Sequence, residues 1–215
     1  MAPTFVVVDD HEAVLGGTVA ALHKTYPDVS ILTAATAKEA EEKIAGATPD
    51  VVVMDLSIPY GADETAQTEV GLQLLRTLMH QYPTLNIVVQ SAHVRSLVRL
   101  KPIIALHEGG FTIADKSLPL KEMLTRVEWA IQGLIYTPRE MRTGLEVKPE
   151  WLKVLTLAFQ DGLQDKAIAE KMNISERTVR HYWTKVQDAL GVYPETGKNI
   201  RIQTEIQARE QGLID

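Results

Sequence analysis

The sequence predicts an α/β protein: a doubly wound domain of five parallel strands followed by a small all-α domain. Three observations lead there. Short apolar, β-branched runs recur, each closing on or leading to a polar residue, as Val51-Val52-Val53-Met54 closes on Asp55. Runs that are apolar throughout suit strands buried on both faces of a parallel sheet. Helical patterns alternate with these runs, the arrangement that gives parallel strands joined by crossover helices. Beyond about residue 148 the signal becomes all-helical.

Phe5-Val6-Val7-Val8 is the first predicted strand, and a helix over residues 13–25 follows it. Residues 29–34 read as the second strand and 37–45 as a helix closed by Gly46. Residues 50–55 form the third strand. A long polar segment, 57–70, then precedes a helix expected near Gly71. The fourth strand ends at Ser91, a helix over 97–107 follows, and Gly109-Gly110 turns into the fifth strand, which leads to Asp115-Lys116. Pro119 opens an amphipathic helix whose stripe is Leu120, Leu124, Val127 and Ile131. These elements make residues 1–131 the first domain. Residues 132–147, with Gly, Pro and mixed charge, read as a linker, and 148–215 as the second domain.

In the second domain Pro149 opens a helix with Leu152, Leu155 and Phe159 on one face. A short helix over 165–172, the turn Asn173-Ile174-Ser175 and a helix over 176–190 make two helices around a tight polar turn. A last helix is expected over 203–211.

Composition narrows the function classes. The 215 residues carry no cysteine, which excludes disulfides and thiolate chemistry and fits a reducing compartment. The first apolar run is cut short by Asp9-Asp10 and has no basic region before it, unlike a signal peptide. No apolar run approaches membrane-spanning length, so a cytoplasmic protein with no membrane partner is expected. The formal net charge is −6. Residues 1–132 hold 10 Lys+Arg against 16 Asp+Glu, whereas 148–215 hold 10 of each, so nucleic-acid binding must rest on local placement.

Ligands of such sheets sit beyond the carboxyl ends of the strands, where Asp9, Asp10, Asp55, Ser91 and Lys116 converge. Clustered carboxylates raise one another's pKa unless a cation lies between them, and an open all-oxygen site suits magnesium. A carboxylate beside that metal can attack a phosphoryl donor and form an acyl phosphate. A hydroxyl such as Ser91 and an ammonium such as Lys116 can hold the remaining phosphoryl oxygens.

These residues resemble the receiver domain of bacterial two-component response regulators, which has a flavodoxin-like fold. The resemblance rests on Asp9-Asp10, Asp55 with Pro59 four residues on, Ser91-Ala92, and Lys116 before Pro119. It implies that Asp55 is phosphorylated by a histidine kinase and that Asp10 binds Mg2+ directly, with Asp9 assisting through water. Asp55 and the Ser57 backbone carbonyl complete the metal site, Ser91 is the switch hydroxyl, and Lys116 binds the phosphoryl group. The chain departs from that pattern at three places. The glycine expected soon after the phosphoacceptor is Gly71, sixteen residues on, so residues 60–70 are an insertion beside the site. The aromatic switch residue is replaced by Ile113, and the segment between Ser91 and Gly109 is longer than usual. His11 reads as a loop residue, and His93 is placed to influence hydrolysis of the phosphoryl group.

Along residues 176–190, Val179, Trp183, Val186 and Leu190 form one apolar stripe. The other side offers Arg177, Arg180, His181, Thr184 and Asp188, side chains that can bond base edges or phosphates from the major groove. The run Asp165 to Arg180, with Leu190-Gly191-Val192, Thr204-Glu205, Ala208 and Gly212-Leu213, resembles the LuxR/NarL-type DNA-binding domain. Together the two parts resemble the NarL/FixJ family. The candidate contacts to double-stranded DNA are Lys166, Arg177, Thr178, Arg180, His181, Thr184 and Lys185. Tyr182 and Ala189 depart from common family residues, and residues 193–201 lengthen the connection to the last helix, which in this family often forms the dimer contact.

The expectation is a DNA-binding regulator of transcription that is phosphorylated on Asp55 and acts as a homodimer. The alternative is a regulator of the same ancestry that binds DNA or protein without phosphorylation. A phosphoaspartate phosphatase of the haloacid-dehalogenase kind would need an acid two residues after the nucleophile, where Ser57 stands.

Overall fold

The computed structural model describes residues 2–137 and 147–215. The chain divides into two compact units, Met1–Arg139 and Glu140–Asp215. No helix among the described residues is long and apolar enough to cross a membrane.

The first unit is a parallel sheet of six strands in the order β2-β1-β3-β4-β5-β6. In chain order the elements are β1 (Thr4–Val8), α1 (Glu12–Thr25), β2 (Ser30–Ala34), α2 (Ala37–Ala47), β3 (Val51–Met54), α3 (Thr68–Gln81) and β4 (Asn86–Ser91). A 3-10 helix (Val94–Leu100), α4 (Lys101–Ile104), β5 (Phe111–Asp115), α5 (Leu120–Ile131) and β6 (Ile135–Tyr136) complete it. The β1–β3 and β3–β4 registers align Val8 with Met54 and Met54 with Val89, so the three strands end side by side. β1 and β3 are buried at nearly every position because helices cover both faces of the sheet. On one face α1 and α5 close over Phe5, Val7, Val53, Val88 and Ala114 with Leu22, Met123 and Val127.

The sheet has six strands where five are predicted from sequence. Gly133, at φ +75, ends the helical path, and Phe111 N–H donates to the Leu134 carbonyl at 3.0 Å, leading β6 onto the free edge of β5. The Arg126 guanidinium packs on Trp129 at 4.4 Å and on Tyr136 at 3.8 Å and holds the strand there. Two residues are too few to show a period, so this strand lay hidden within the predicted linker. Residues 138–146 of that linker lie outside the described residues.

Two helices also differ from expectation. The predicted helix over 97–107 is instead a 3-10 run followed by the single turn of α4. Pro102 has no N–H to donate, and its ring would crowd the carbonyl four residues earlier in a continuous α-helix. Helix α3 begins at Thr68, three residues before Gly71, because Ile58 and Gln67 pair as an antiparallel bridge that closes the preceding loop.

The second unit contains α6 (Pro149–Phe159), α7 (Asp165–Met172), α8 (Glu176–Leu190) and α9 (Ile200–Glu210). Asn173, at φ 54, stops α7. Ser175 then accepts the Thr178 N–H on its hydroxyl at 3.1 Å and starts α8. Asn199 caps α9 through the N–H groups of Arg201 and Ile202, which starts this helix three residues earlier than its periodicity suggested. Val179, Trp183 and Val186 are buried, and Trp183 meets Phe159 edge-on at 5.4 Å between centroids.

Candidate functional site

Parallel strands that end together bring their following residues together. Asp9 and Asp10 follow β1, Asp55 follows β3, Ser91 ends β4 and Lys116 follows β5. Asp9 and Asp55 are only 3% and 4% exposed. Two ionised carboxylates so buried need a counter-charge, and the Lys116 ammonium supplies it, 2.6 Å from Asp9 Oδ2 and 2.6 Å from Asp55 Oδ2. Burial lowers the Lys116 pKa, but its hydrogen bonds to Asp55 and Asp9 and their charges outweigh this and hold it above the usual lysine value.

The other carboxylate oxygens are held by backbone. Asp55 Oδ1 accepts the N–H groups of Leu56 at 2.6 Å and Ser57 at 3.2 Å, and Asp9 Oδ1 accepts that of His11 at 2.9 Å. Ser91 is fully buried; its Oγ accepts the His93 N–H at 3.1 Å, and its carbonyl accepts the Lys116 N–H at 3.2 Å. Ser57 stands half-buried at the rim.

The ligand atoms of Asp9, Asp10, His11 and Asp55 lie within 4.8 Å of one another. This set, three carboxylates with Asp10 half-buried and His11 exposed, fits a hard divalent cation of the kind acidic receiver sites take. His11 is closer to the cluster than a plain loop residue, for its Nδ1 lies 2.8 Å from Asp10 Oδ1. Its position directly after the acid pair was the only sequence signal of this.

β5 brings no aromatic side chain to the site end. Ile113 is buried there, and Phe111 sits at the opposite end of the strand, paired with Ile87 and Ile135. The inserted loop is anchored at its base by buried Ile58 and by Ala37 and Lys38 N–H donated to the carbonyls of Pro59 and Tyr60, whereas 62–67 are exposed. Sequence reading also passed over Arg99, whose guanidinium reaches Glu69 on α3 at 3.1 Å.

In the second unit, Arg177, Arg180, His181 and Thr184 are exposed along one side of α8, and Lys166 is exposed on α7. Thr178 and Lys185 are half-buried. Thr178 also spends its hydroxyl on the helix cap, 2.8 Å from Ser175 Oγ, and Thr184 donates to the Arg180 carbonyl at 3.2 Å. Arg180 lies 3.5 Å from Glu176, an exposed pair that a stronger anion can displace. Behind this face Asp165 accepts from Trp183 Nε1 at 3.0 Å and from Arg201 Nη2 at 2.9 Å, while the Arg201 guanidinium packs 3.6 Å from the Trp183 ring. That triad ties α7, α8 and α9 together.

Comparisons with known proteins agree with this geometry. Residues 5–128 match the response regulator receiver domain, and residues 152–196 match the bacterial regulatory proteins of the luxR family. The chain is 26% identical over 203 residues to the DNA-binding transcriptional activator DevR/DosR of Mycobacterium tuberculosis, covering 88% of this chain and 89% of that protein. It is 25% identical to the oxygen regulatory protein NreC of Staphylococcus aureus, covering 87% and 90%. Its fold resembles that of RcsB from Salmonella enterica serovar Typhimurium bound to the promoter rprA with the phosphomimetic BeF3-. That match has a TM-score of 0.59 and 20% identity, and covers 96% of this chain and 98% of that one. The chain is thus a two-component response regulator of the NarL/FixJ family, a receiver joined to a LuxR-type helix-turn-helix domain.

Proposed function

We propose that this protein is a DNA-binding transcription regulator switched by phosphorylation of Asp55. The observation that carries the reading is the Lys116 ammonium held between the buried carboxylates of Asp9 and Asp55. A histidine kinase is the phosphoryl donor. Asp55 Oδ2 attacks phosphorus as the bond from phosphorus to the kinase histidine breaks, and the imidazole leaves with that electron pair. Asp55 Oδ1, fixed by two backbone N–H groups, keeps the carboxylate oriented for this attack.

Lys116, whose ammonium already lies 2.6 Å from Asp55 Oδ2, then pairs with a phosphoryl oxygen. Ser91 Oγ already accepts from the His93 N–H, so its own hydroxyl hydrogen is free to turn toward another phosphoryl oxygen. Asp9, Asp10, Asp55 and the Ser57 backbone carbonyl would hold Mg2+, which supplies positive charge to the transferring group. The phosphoryl group adds about −1.5 to −2 charges at neutral pH, which draws Lys116 and Ser91 inward and changes the adjoining surface.

On this reading residues 1–131 are the receiver, 132–147 the linker and 148–215 the DNA-binding domain. Lys166, Arg177, Thr178, Arg180, His181, Thr184 and Lys185 face DNA. Two copies of the phosphorylated chain pair, placing α8 helices at half-sites about one helical turn apart. The protein works in the cytoplasm as a regulator and turns over no phosphomonoester.

The test is intact mass and sedimentation of wild type and Asp55→Asn with magnesium and acetyl phosphate. The reading requires one phosphoryl adduct on wild type alone, with a shift toward dimer. Ile113 in place of an aromatic favours a second reading, a regulator that binds DNA without phosphorylation. Absence of the adduct with undiminished DNA binding selects it.

A further inference from the structure

His11 occupies the N-cap position of α1, where a side chain ordinarily accepts a backbone N–H of the first turn. Its imidazole makes no such bond. The backbone is nonetheless fixed: the His11 carbonyl accepts the Val14 and Leu15 N–H groups at 3.0 and 2.9 Å, and its own N–H donates to Asp9 Oδ1 at 2.9 Å. Held this way, the ring turns to the acidic cluster instead of the helix. Nδ1 stands 2.8 Å from Asp10 Oδ1 and 3.6 Å from Asp9 Oδ1, and the ligand atom of Asp55 belongs to the same group, within 4.8 Å.

These spacings suit a shared coordination shell. Adjacent ligands of an octahedral ion, each about 2.1 Å from it, stand about 3.0 Å apart. The His11 side chain is 65% exposed, so it can close the remaining gap without disturbing the core. Lys116 already answers much of the charge of Asp9 and Asp55, so what His11 adds is a different kind of donor. The three carboxylates alone suit magnesium, whereas a neutral imidazole nitrogen favours first-row transition ions such as Co2+, Ni2+ and Zn2+.

We propose that His11 is a metal ligand of the acidic site and sets its ion preference, so that the site takes a first-row transition dication more tightly than Mg2+. The inference rests on the cation site proposed above and assigns the ions that it admits. Transition ions and Mg2+ then compete for Asp10 and Asp55, which makes metal supply a second influence on the phosphoacceptor.

Calorimetric titrations of the full chain with Co2+ and with Mg2+, on wild type, His11→Ala and Asp10→Asn, test the assignment. Wild type should bind Co2+ at least roughly tenfold more tightly than Mg2+. His11→Ala changes an exposed side chain and should fold as wild type does. It should lose at least roughly tenfold in Co2+ affinity while its Mg2+ affinity changes by less than about threefold. Asp10→Asn should weaken both ions, which places them at this cluster. Proton NMR of the Co2+ form reads the ligand directly: an exchangeable imidazole N–H shifted far outside the diamagnetic range is expected in wild type and not in His11→Ala. Co2+ affinity that is unchanged in His11→Ala or falls only in step with that for Mg2+, or a persisting N–H signal, overturns the proposal, and His11 then only pairs with Asp10. Failure of the cation site itself reads differently: wild type binds neither ion saturably, and both readings fall.

Discussion

Gly71 on α3 lies so close to Leu56 that a Cβ on it would stand 2.1 Å from the Leu56 carbonyl oxygen. Leu56 immediately follows Asp55 and donates its N–H to that carboxylate. The start of α3 is thereby seated on the backbone that orients the candidate phosphoacceptor, with the inserted loop bridging the two. Gly71→Ala forces those backbones apart. A loss of about 1–3 kcal/mol in urea unfolding is expected, typical of overpacking, together with slower acetyl phosphate labelling of Asp55. Labelling at the wild-type rate would show that this contact does not position the carboxylate.

Lys116→Met keeps the bulk of the side chain and removes its charge. Two carboxylates almost without solvent contact are then left facing each other, at a cost of about 3–5 kcal/mol when a buried pair loses one partner. Magnesium should return part of that stability, since it offers the missing positive charge. Unfolding of the variant with and without magnesium checks both points; equal stability in the two conditions would argue against a cation site here.

The same ion pairs set a pH dependence. The Lys116 pKa lies above the ordinary 10.5, because its hydrogen bonds to Asp55 and Asp9 and their charges outweigh the opposing effect of burial. Its contribution is therefore fully present below the unfolded-state value and is lost as pH rises through the folded one. Wild type should lose stability more steeply than Lys116→Met above pH 10.5, with parallel curves near neutrality. Parallel curves throughout would mean that the ammonium is not stabilised by these partners.

Asp165→Asn replaces the charged acceptor that joins three helices of the second unit with a neutral amide that keeps only one acceptor oxygen. Arg201 loses its charged partner and Trp183 Nε1 its strongest acceptor, so destabilisation by about 1–3 kcal/mol is expected, with altered tryptophan fluorescence. DNA affinity should fall less than stability does, because Asp165 stands behind the exposed face of α8. A large affinity loss at unchanged stability would place Asp165 at the DNA instead.

Arg180→Ala removes a charge from the exposed side of α8. Binding to a family-type promoter should weaken, and the slope of log K against log salt should flatten by about one unit if the guanidinium meets a phosphate. An unchanged slope with altered sequence preference would assign Arg180 to a base edge.

The sequence by itself determined the alternation of strands and helices and the place of the acidic site, for a physical reason. In a parallel sheet every strand must be apolar, so the polar residue that follows each strand stands out and marks one edge. That is why Asp9, Asp10, Asp55, Ser91 and Lys116 could be grouped from separate runs. The face of α8 was legible because Val179, Trp183 and Val186 keep helical period. Tertiary structure alone decided the rest. β6 is too short to carry a period, and its place depends on Arg126 packing between Trp129 and Tyr136. The ion pairs of Lys116 and the partnership of Asp165 with Arg201 join residues distant in the chain. Such contacts depend on where side chains end up in three dimensions, and no local pattern records it.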